Sequence, residues 1–205
     1  MRKYGVMLAV VFLLWGSSSA QMLSLGLKGG GSIASQEIKG YNADSKTSFH
    51  AGILGNLYLV EIFHGGIAIQ PELLFNRKGS VMLPFGTDKK GGKYITINYL
   101  EIPLGISYIF IFRHVLPYIS FAPYVAYSVY NKVKISGDAD ISPLNFPEAN
   151  IKRFDYGLKF GAGMEVKRFL LSASYSMGLN NISKENVNIR NSSIEVSLGY
   201  YILQW

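Results

Sequence analysis

The residue types that carry most enzyme chemistry are sparse in this sequence. The chain has no cysteine, and its three histidines are His50, His64 and His114. No HxxxH or HExxH spacing pairs two of them, so neither a metal site nor a cofactor is expected. His50, with a serine nearby, is the single candidate for catalysis by a histidine and a serine. The simpler interpretation is a solvated histidine at a strand end, and we expect no enzyme activity.

Charged side chains recur on one face of an alternating pattern. They are Lys28, Glu72, Glu101, Asp155, Lys159, Glu165 and Glu195. Enclosed charges need partners, because desolvation otherwise costs several kcal/mol per ion. We expect these side chains to pair with one another and to fill an enclosed interior as a structural plug. Three alternatives stay open: a small pore or gate with switching ion pairs, a catalytic carboxylate pair of Glu72 and Glu101, and ligand binding.

The elements that would position these charges are β-strands. From Arg153 to Val166 apolar and polar residues alternate without a break, as in a strand with one apolar face. The stretch NYLEIPLGISY alternates in the same way, with Glu101 and Pro103 on its polar face. Because proline deletes a ladder hydrogen bond, we expect a bulge or local irregularity at Pro103.

Eight segments show this pattern, and the connections between them differ in length. The predicted strands are 22–31, 47–60, 66–77, 93–109, 115–131, 153–166, 169–180 and 191–204. Long polar connections are predicted at 32–46, 78–92, 132–152 and 181–190, and short ones at 61–65, 110–114 and 167–168. An even strand number, with long loops at one end and tight turns at the other, is typical of an outer-membrane β-barrel. Both chain ends would then lie on the short-turn, periplasmic side.

The N-terminus indicates export. Two basic residues precede an apolar run that ends at Trp15, and small residues up to Ala20 follow. This order is that of a cleaved secretory signal peptide, and the apolar run is well short of the roughly 20 residues of a membrane helix. We expect residues 1–20 to be removed and 21–205 to form one domain.

Two features favour a membrane barrel over a secreted β-sandwich or a lipocalin-like barrel. Small residues concentrate on the polar face of the predicted strands, namely Gly26, Gly105, Gly157, Gly161, Gly163, Gly178 and Gly199. A narrow barrel interior is short of room, whereas a solvent-exposed face gains nothing from glycine. Aromatic residues gather near the strand ends, as in the girdles at membrane interfaces. The expected fold is therefore all-β, an eight-stranded antiparallel transmembrane β-barrel wound as an up-and-down meander.

The net charge of the chain and the placement of its basic residues limit the classes of partner that we expect. The net charge is +7, and loss of Arg2 and Lys3 with the signal peptide leaves +5. The lysines are scattered, so nucleic acid is not an expected partner. Basic residues do gather around one predicted long loop, namely Arg77, Lys78, Lys89, Lys90 and Lys93. On the outer surface they would contact lipopolysaccharide phosphates, and the alternative is a solvated, flexible loop.

Several motifs follow one another in a characteristic order. They are LGLKGGGSIAS, IQPELLFNRKGS, NYLEIPLGISY, APYVAYSV and FDYGLKFGAGMEV, before a closing strand that ends in an aromatic residue. This order resembles the PorT-like outer-membrane β-barrel family of Bacteroidetes over nearly all of 21–205. The resemblance implies an eight-stranded barrel in the outer membrane, but the fold alone carries over no relative's role. Trp205 resembles the C-terminal aromatic signal that the barrel-assembly machinery recognises.

These observations predict a function in broad terms. We expect an integral protein of the outer membrane with a structural or accessory role in the cell envelope. It would present surface loops or assist an envelope or export complex. Its expected partners are membrane lipid, lipopolysaccharide, the barrel-assembly machinery and an envelope protein. The alternatives are a small pore or gated channel, and an outer-membrane enzyme that modifies lipid or protein.

Overall fold

A computed structural model of the protein describes residues 23–38, 43–82, 92–136, 151–184 and 189–205. Within these ranges the chain forms eight antiparallel strands, each paired with its sequence neighbours, and β1 also pairs with β8 to close a barrel. The strands are β1 Leu23–Ile38, β2 Ala43–Ile62, β3 Gly65–Met82, β4 Gly92–Phe110, β5 Leu116–Ser136, β6 Phe154–Val166, β7 Phe169–Gly178 and β8 Ile189–Gln204. No helix in the described ranges is long and apolar enough to cross a membrane. The expected barrel is confirmed, while the signal peptide predicted at 1–20 lies outside the described residues.

Side chains alternate between the barrel interior and its outer surface. In β8, Glu195 and Ser197 are buried, whereas Ile194 and Val196 are each 55% exposed. This arrangement inverts that of a soluble protein, in which apolar side chains form the core. It fits a wall that contacts lipid outside and encloses a polar network. The closed ladder also excludes the sandwich alternative.

Several predicted strand ends are wrong in the same direction, because the strands continue into segments predicted as loops. β1 extends to Ile38 and β2 begins at Ala43, so most of the predicted loop 32–46 is strand. β5 has 21 residues, about twice the 9–11 residues that a tilted strand needs to cross the membrane. The wall therefore extends beyond the bilayer, where outward residues need not be apolar. The alternation of apolar and polar residues in the sequence therefore ends before the hydrogen-bonded strands end.

The end of the barrel opposite these strand extensions carries the short turns, as predicted. Phe63 and His64 join β2 to β3, and Lys167 and Arg168 join β6 to β7. Phe63 and Lys167 each have a φ of 56°, a left-handed conformation that tight two-residue hairpins use. We call this end of the barrel the turn end. In outer-membrane barrels the short turns face the periplasm.

The irregularity predicted at Pro103 is a gap in the ladder rather than a bulge. Pairing between β3 and β4 stops at Pro71 opposite Leu104 and resumes at Leu74 opposite Glu101. The two strands contribute equal numbers of residues to the interval, so the register does not shift. Pro71 and Pro103 lie in or beside this interval, and neither has a backbone N–H to donate.

Close approach of neighbouring strands explains several inward glycines. A Cβ at Gly30 would overlap the carbonyl oxygen of Val196, and a Cβ at Gly52 would overlap that of Leu73. At Gly161 the obstacle is a lumen side chain, because a Cβ would lie 2.6 Å from Ser120 Oγ. The interior is thus crowded by both backbone and side chains, which leaves little room for anything but the protein itself.

Candidate functional site

Four charged side chains form an ion cluster in the middle of the lumen. Lys159 Nζ lies 2.8 Å from Glu101 Oε1 and 3.0 Å from Glu195 Oε2. Lys78 Nζ lies 2.7 Å from the other oxygen of Glu101, Oε2. All four residues are buried, with Glu101 and Glu195 0% exposed. We refer to Lys78, Glu101, Lys159 and Glu195 as the central cluster; two ammonium groups balance its two carboxylates.

The barrel topology explains how these residues meet. Lys78 comes from β3, and Glu101, from β4, is on the neighbouring strand. Glu195 comes from β8, which is four strands away from β4 in the ring of eight and therefore faces it across the lumen. Lys159, from β6, lies midway between them and binds both carboxylates. The two ion pairs of Lys159 consequently connect β4, β6 and β8 across the lumen, whereas Lys78 and Glu101 pair along one wall.

Neutral groups complete the central cluster. Asn76 Nδ2 donates to Glu195 Oε1 at 2.9 Å and to Glu101 Oε2 at 3.3 Å. Ser193 Oγ also donates to Glu195 Oε1, at 3.1 Å. The ring centroid of Tyr124 lies 4.6 Å from Lys78 Nζ, within the range of a cation–π contact. Each charge of the central cluster therefore has more than one partner, as buried ions require.

The prediction of a solvated His50 is wrong. His50 is 1% exposed, and its Nε2 lies 2.7 Å from Ser197 Oγ, on β8. The alternation of β2 directs this side chain inward, and barrel closure supplies the serine from 147 residues away. A histidine nitrogen within hydrogen-bond distance of a serine hydroxyl is the geometry of a base and its nucleophile. Ser197 is also 1% exposed, so in this conformation neither side chain is open to a substrate.

A second carboxylate site lies nearer the turn end. Glu165 Oε1 accepts hydrogen bonds from Tyr201 OH at 2.7 Å and from Asn56 Nδ2 at 3.2 Å. Among the described residues, no lysine, arginine or histidine forms an ion pair with Glu165. Buried apolar side chains pack around Tyr201, namely Leu54, Ala68, Ile109, Tyr118 and Leu170. We refer to Glu165, Tyr201, Asn56 and these apolar residues as the turn-end layer.

Between the two carboxylate sites, Lys28 and Glu72 form a separate ion pair, with 2.7 Å between Nζ and Oε1. A cavity of about 30 Å³ lies beside them, room for about two water molecules. Glu72 and Glu101, the carboxylates considered as a catalytic pair, are bound to different lysines. No metal-binding group of three or more histidine, aspartate or glutamate side chains occurs in the described part of the chain.

The last predicted lumen charge, Asp155, is bound by an amide. Asn191 Nδ2 donates to Asp155 Oδ2 at 2.8 Å and also lies 3.1 Å from Tyr99 OH. Gln36 Nε2 donates to Asn191 Oδ1 at 3.0 Å, and Ser80 Oγ donates to Gln36 at 2.7 Å. These hydrogen-bonded neutral groups extend the polar network beyond the central cluster, on the side away from the turn end. All seven charged residues selected from the sequence thus face the lumen, and Lys78 joins them.

The prediction that Lys78 contacts lipopolysaccharide is therefore wrong, because this side chain lies in the lumen. Because β3 continues to Met82, Arg77 and Lys78 occupy successive strand positions and point to opposite faces. Arg77 is on the outer face and partly exposed, whereas Lys78 is 1% exposed in the lumen. The remaining members of that predicted group, Lys89, Lys90 and the side chain of Lys93, lie outside the described residues.

The predicted assembly signal, Trp205, ends the chain at the turn end. Its backbone N–H donates to Leu23 O at 3.0 Å, and its side chain is 63% exposed. The last residue thus extends the closing β1–β8 seam, and its indole remains on the surface. This position leaves the ring open to a partner, and recognition by the assembly machinery stays a prediction.

Three solved structures are similar to this chain at low sequence identity. The attachment invasion locus protein Ail of Yersinia pestis is 12% identical over 90% of this chain and 100% of its own, with a TM-score of 0.39. The outer membrane enzyme PagL is 12% identical over 84% of this chain and 99% of its own, with a TM-score of 0.49. Neisserial surface protein A is 13% identical over 87% of this chain and 97% of its own, with a TM-score of 0.42. A comparison with curated proteins found no match.

A family model described as an outer membrane protein beta-barrel domain matches residues 16–184. The match covers most of the chain, and the closed eight-stranded wall with its apolar outer face agrees with it. The chain therefore belongs to the outer membrane protein beta-barrel domain family and is located in the outer membrane.

Proposed function

We propose that the protein is a sealed barrel whose lumen transports nothing and whose role in the cell envelope is structural or accessory. The observation that supports this proposal is the central cluster. Its ion pairs join β3, β4, β6 and β8 across the lumen, and all four members are buried. The protein would act through its outer wall and its surface loops.

The energetics of the central cluster argue against the pore alternative. A permeating ion would have to separate Lys159 from Glu101 or from Glu195, which lie 2.8 and 3.0 Å away. Removing one partner from a buried ion pair costs about 3–5 kcal/mol. The small cavity beside Lys28 adds about 30 Å³, which is a pocket for water and not a channel.

Conductance measurements test the sealed lumen. Folded protein inserted into a planar lipid bilayer should give no discrete current steps, while a known porin in the same bilayer serves as the positive control. Insertion can be checked by heat modifiability, because a folded barrel migrates differently on a gel before and after boiling. Reproducible current steps from the folded form would overturn the proposal and favour the pore.

One described residue of the outer wall, Arg77, supports a proposed contact with lipopolysaccharide. Arg77 lies one outward position beyond Phe75, whose ring centroid is 6.2 Å from that of Phe49. Aromatic pairs of this kind mark the membrane interface, and a guanidinium just beyond it is suited to a lipid phosphate. Arg77 is twelve residues beyond Gly65, the start of β3, and 9–11 residues suffice to cross the membrane.

The strands that extend beyond the bilayer support an accessory role. They carry the wall beyond the lipid surface at the end opposite the turn end, and the loops of a protein surface commonly carry binding functions. We further propose that the chain is a PorT-like member of its family with an envelope or export-complex partner. Co-purification from native outer membrane tests this. A reproducible envelope protein partner would support the accessory role, and isolation of the barrel alone under gentle extraction would contradict it.

One observation favours a second candidate function, an outer-membrane enzyme. His50 Nε2 and Ser197 Oγ are 2.7 Å apart, which is the spacing of a catalytic base and nucleophile. The test is expression of the full chain, followed by analysis of lipid A and surface proteins. A modification that is present with the native chain and absent with His50→Ala would establish the enzyme. An identical profile for both forms would support a purely structural hydrogen bond.

A further inference from the structure

An apolar groove of about 410 Å³ crosses the outer wall from the turn end of β8 and β1 to the middle of β2 and β3. It spans β8, β1, β2 and β3, and its lining includes Leu25, Leu27, Ile53, Gly55, Pro71 and Leu73. The side chains along its rim face outward, with Leu27 55% and Ile53 53% exposed. Glu72 is the one charged lining residue, and its carboxylate is bound to Lys28.

The sequence explains why the wall is indented here. Leu203, Leu25 and Gly55 are register partners across three successive strands. Gly55 contributes no side chain to this row, and a Cβ there would lie 3.2 Å from Pro71 Cγ and 3.5 Å from Leu25 Cδ2. Gly55 is buried between Leu25 and Pro71, so the wall is low at this point and the flanking apolar side chains form the sides of the groove. Pairing of β2 with β3 is also interrupted between Leu54 and Leu57, opposite Pro71.

The dimensions of the groove suit a hydrocarbon chain. An apolar cavity of about 150 Å³ holds one benzene ring of six carbons. At the same packing, a groove of 410 Å³ has room for about 16 carbons. Four adjacent strands are about 14 Å wide, so the space is elongated along the wall. The lining offers a ligand almost no polar partner, which favours an aliphatic chain over a headgroup.

We propose that this groove is a binding site for one acyl chain of a phospholipid in the periplasmic leaflet. It opens on the lipid-facing wall, so it is continuous with the bilayer interface that the barrel already occupies. Its lining on β1 and β8, Leu25 and Leu203, lies at the turn end, and short turns face the periplasm in outer-membrane barrels. An ordinary lipid-facing surface exchanges its lipids freely. A chain held between Leu25, Ile53 and Leu73 would stay with the protein longer.

The test uses full-length protein reconstituted into vesicles of phosphatidylethanolamine and phosphatidylglycerol and then transferred to detergent. Native mass spectrometry counts the phospholipids retained as the detergent concentration rises. Ile53→Trp places a large ring over the groove, and Ile119→Trp is the matched control. Ile119 is 55% exposed on the outer face of β5, outside the groove. Heat modifiability on gels verifies the fold of each variant, and Leu27→Trp replaces Ile53→Trp if the latter does not fold.

The wild type and Ile119→Trp should each keep one phospholipid at detergent concentrations that strip the rest. Ile53→Trp should retain about tenfold less, because its indole takes the apolar contacts of the chain. Loss of the phospholipid from both variants alike, or from neither, would overturn the proposal. A lipid-free pair of protein copies that separates only in Ile53→Trp would also overturn it, since the occupant would then be a second barrel.

Discussion

The central cluster and the turn-end layer hold the same chemical group in different ways. Glu101 is bound by two ammonium groups, those of Lys78 and Lys159, at 2.7 and 2.8 Å. Glu165 is bound by a phenol and an amide, from Tyr201 and Asn56, at 2.7 and 3.2 Å. Both carboxylates are buried in one lumen. Within the described residues, Glu165 has no ion-pair partner.

This difference shows that the lumen is not one uniform polar filling. In the central cluster each carboxylate depends on charged partners from several strands, so loss of one side chain leaves another ion unbalanced. In the turn-end layer the partners are neutral, and loss of the charge leaves groups that can still hydrogen-bond. The two regions should therefore respond very differently to equivalent substitutions.

Lys159→Met should have the largest effect of the substitutions considered. It removes the ammonium that Glu101 and Glu195 share, and breaking a buried ion pair from one side costs about 3–5 kcal/mol in the free energy of unfolding. Lys28→Met is the matched control, because Lys28 has a single carboxylate partner at the edge of a small cavity. Urea unfolding in lipid vesicles measures both. Equal losses would mean that the central cluster is not special.

Tyr201→Phe should have a smaller effect on the free energy of unfolding than Lys159→Met. It removes the shorter hydrogen bond to Glu165 and keeps the ring in its apolar surroundings. A hydrogen bond to a charged group is worth about 1.5–3 kcal/mol, and Asn56 still donates to Glu165. Tyr200→Phe is the control, since Tyr200 lies on the outer face and is 42% exposed. The same urea titration measures both variants, and an unchanged free energy for Tyr201→Phe would contradict the hydrogen bond.

Ser197→Ala should cost about 1–2 kcal/mol in unfolding free energy, because it leaves the ring nitrogen of His50 without its partner. His50 is buried, so water cannot replace the hydroxyl at no cost. Urea unfolding measures the loss, and lipid A profiles taken in parallel test the catalytic alternative. Unchanged stability with an altered lipid A profile would favour the enzyme.

Arg77→Ala should have the smallest effect on stability, within about 0.5 kcal/mol, as is usual for surface substitutions. Its expected effect is on binding: less lipopolysaccharide should remain with the purified protein. Arg113→Ala is the control, because Arg113 is exposed in the connection between β4 and β5 at the turn end, away from the outer leaflet. Quantifying bound lipopolysaccharide separates the two. Equal retention by both variants would remove Arg77 as a contact.

The fold was predictable from the sequence because lipid imposes an alternating pattern on every membrane-crossing strand. The same pattern located Glu101, Lys159 and Glu195 on the inner face. It failed for Lys78, because that residue lies where β3 continues beyond the apolar band and its sequence resembles a polar loop. Continuing the alternation from Asn76 to the next inward position would have placed Lys78 in the lumen.

The individual contacts could not be read from the sequence. Alternation fixes which face a residue occupies, but the partner across the lumen depends on strand register and tilt. His50 and Ser197 illustrate this, since they are 147 residues apart and meet through closure of the barrel. Serine and asparagine on the inner face gave no signal of their own, because the same residues are common in loops. The groove at Gly55 likewise appears only once Leu25 and Pro71 are adjacent.

The comparison between Glu101→Gln and Glu165→Gln tests the central claim most directly. Both changes keep the size of the side chain and remove one buried charge. Glu101→Gln leaves Lys78 without its carboxylate and Lys159 with Glu195 alone, so we expect a loss of about 3–5 kcal/mol in the free energy of unfolding. Glu165→Gln keeps an oxygen for Tyr201 and Asn56, so we expect a loss of about 1 kcal/mol or less. Equal losses for the two variants, measured by urea unfolding in the same vesicles, would contradict a lumen held closed by its ion cluster.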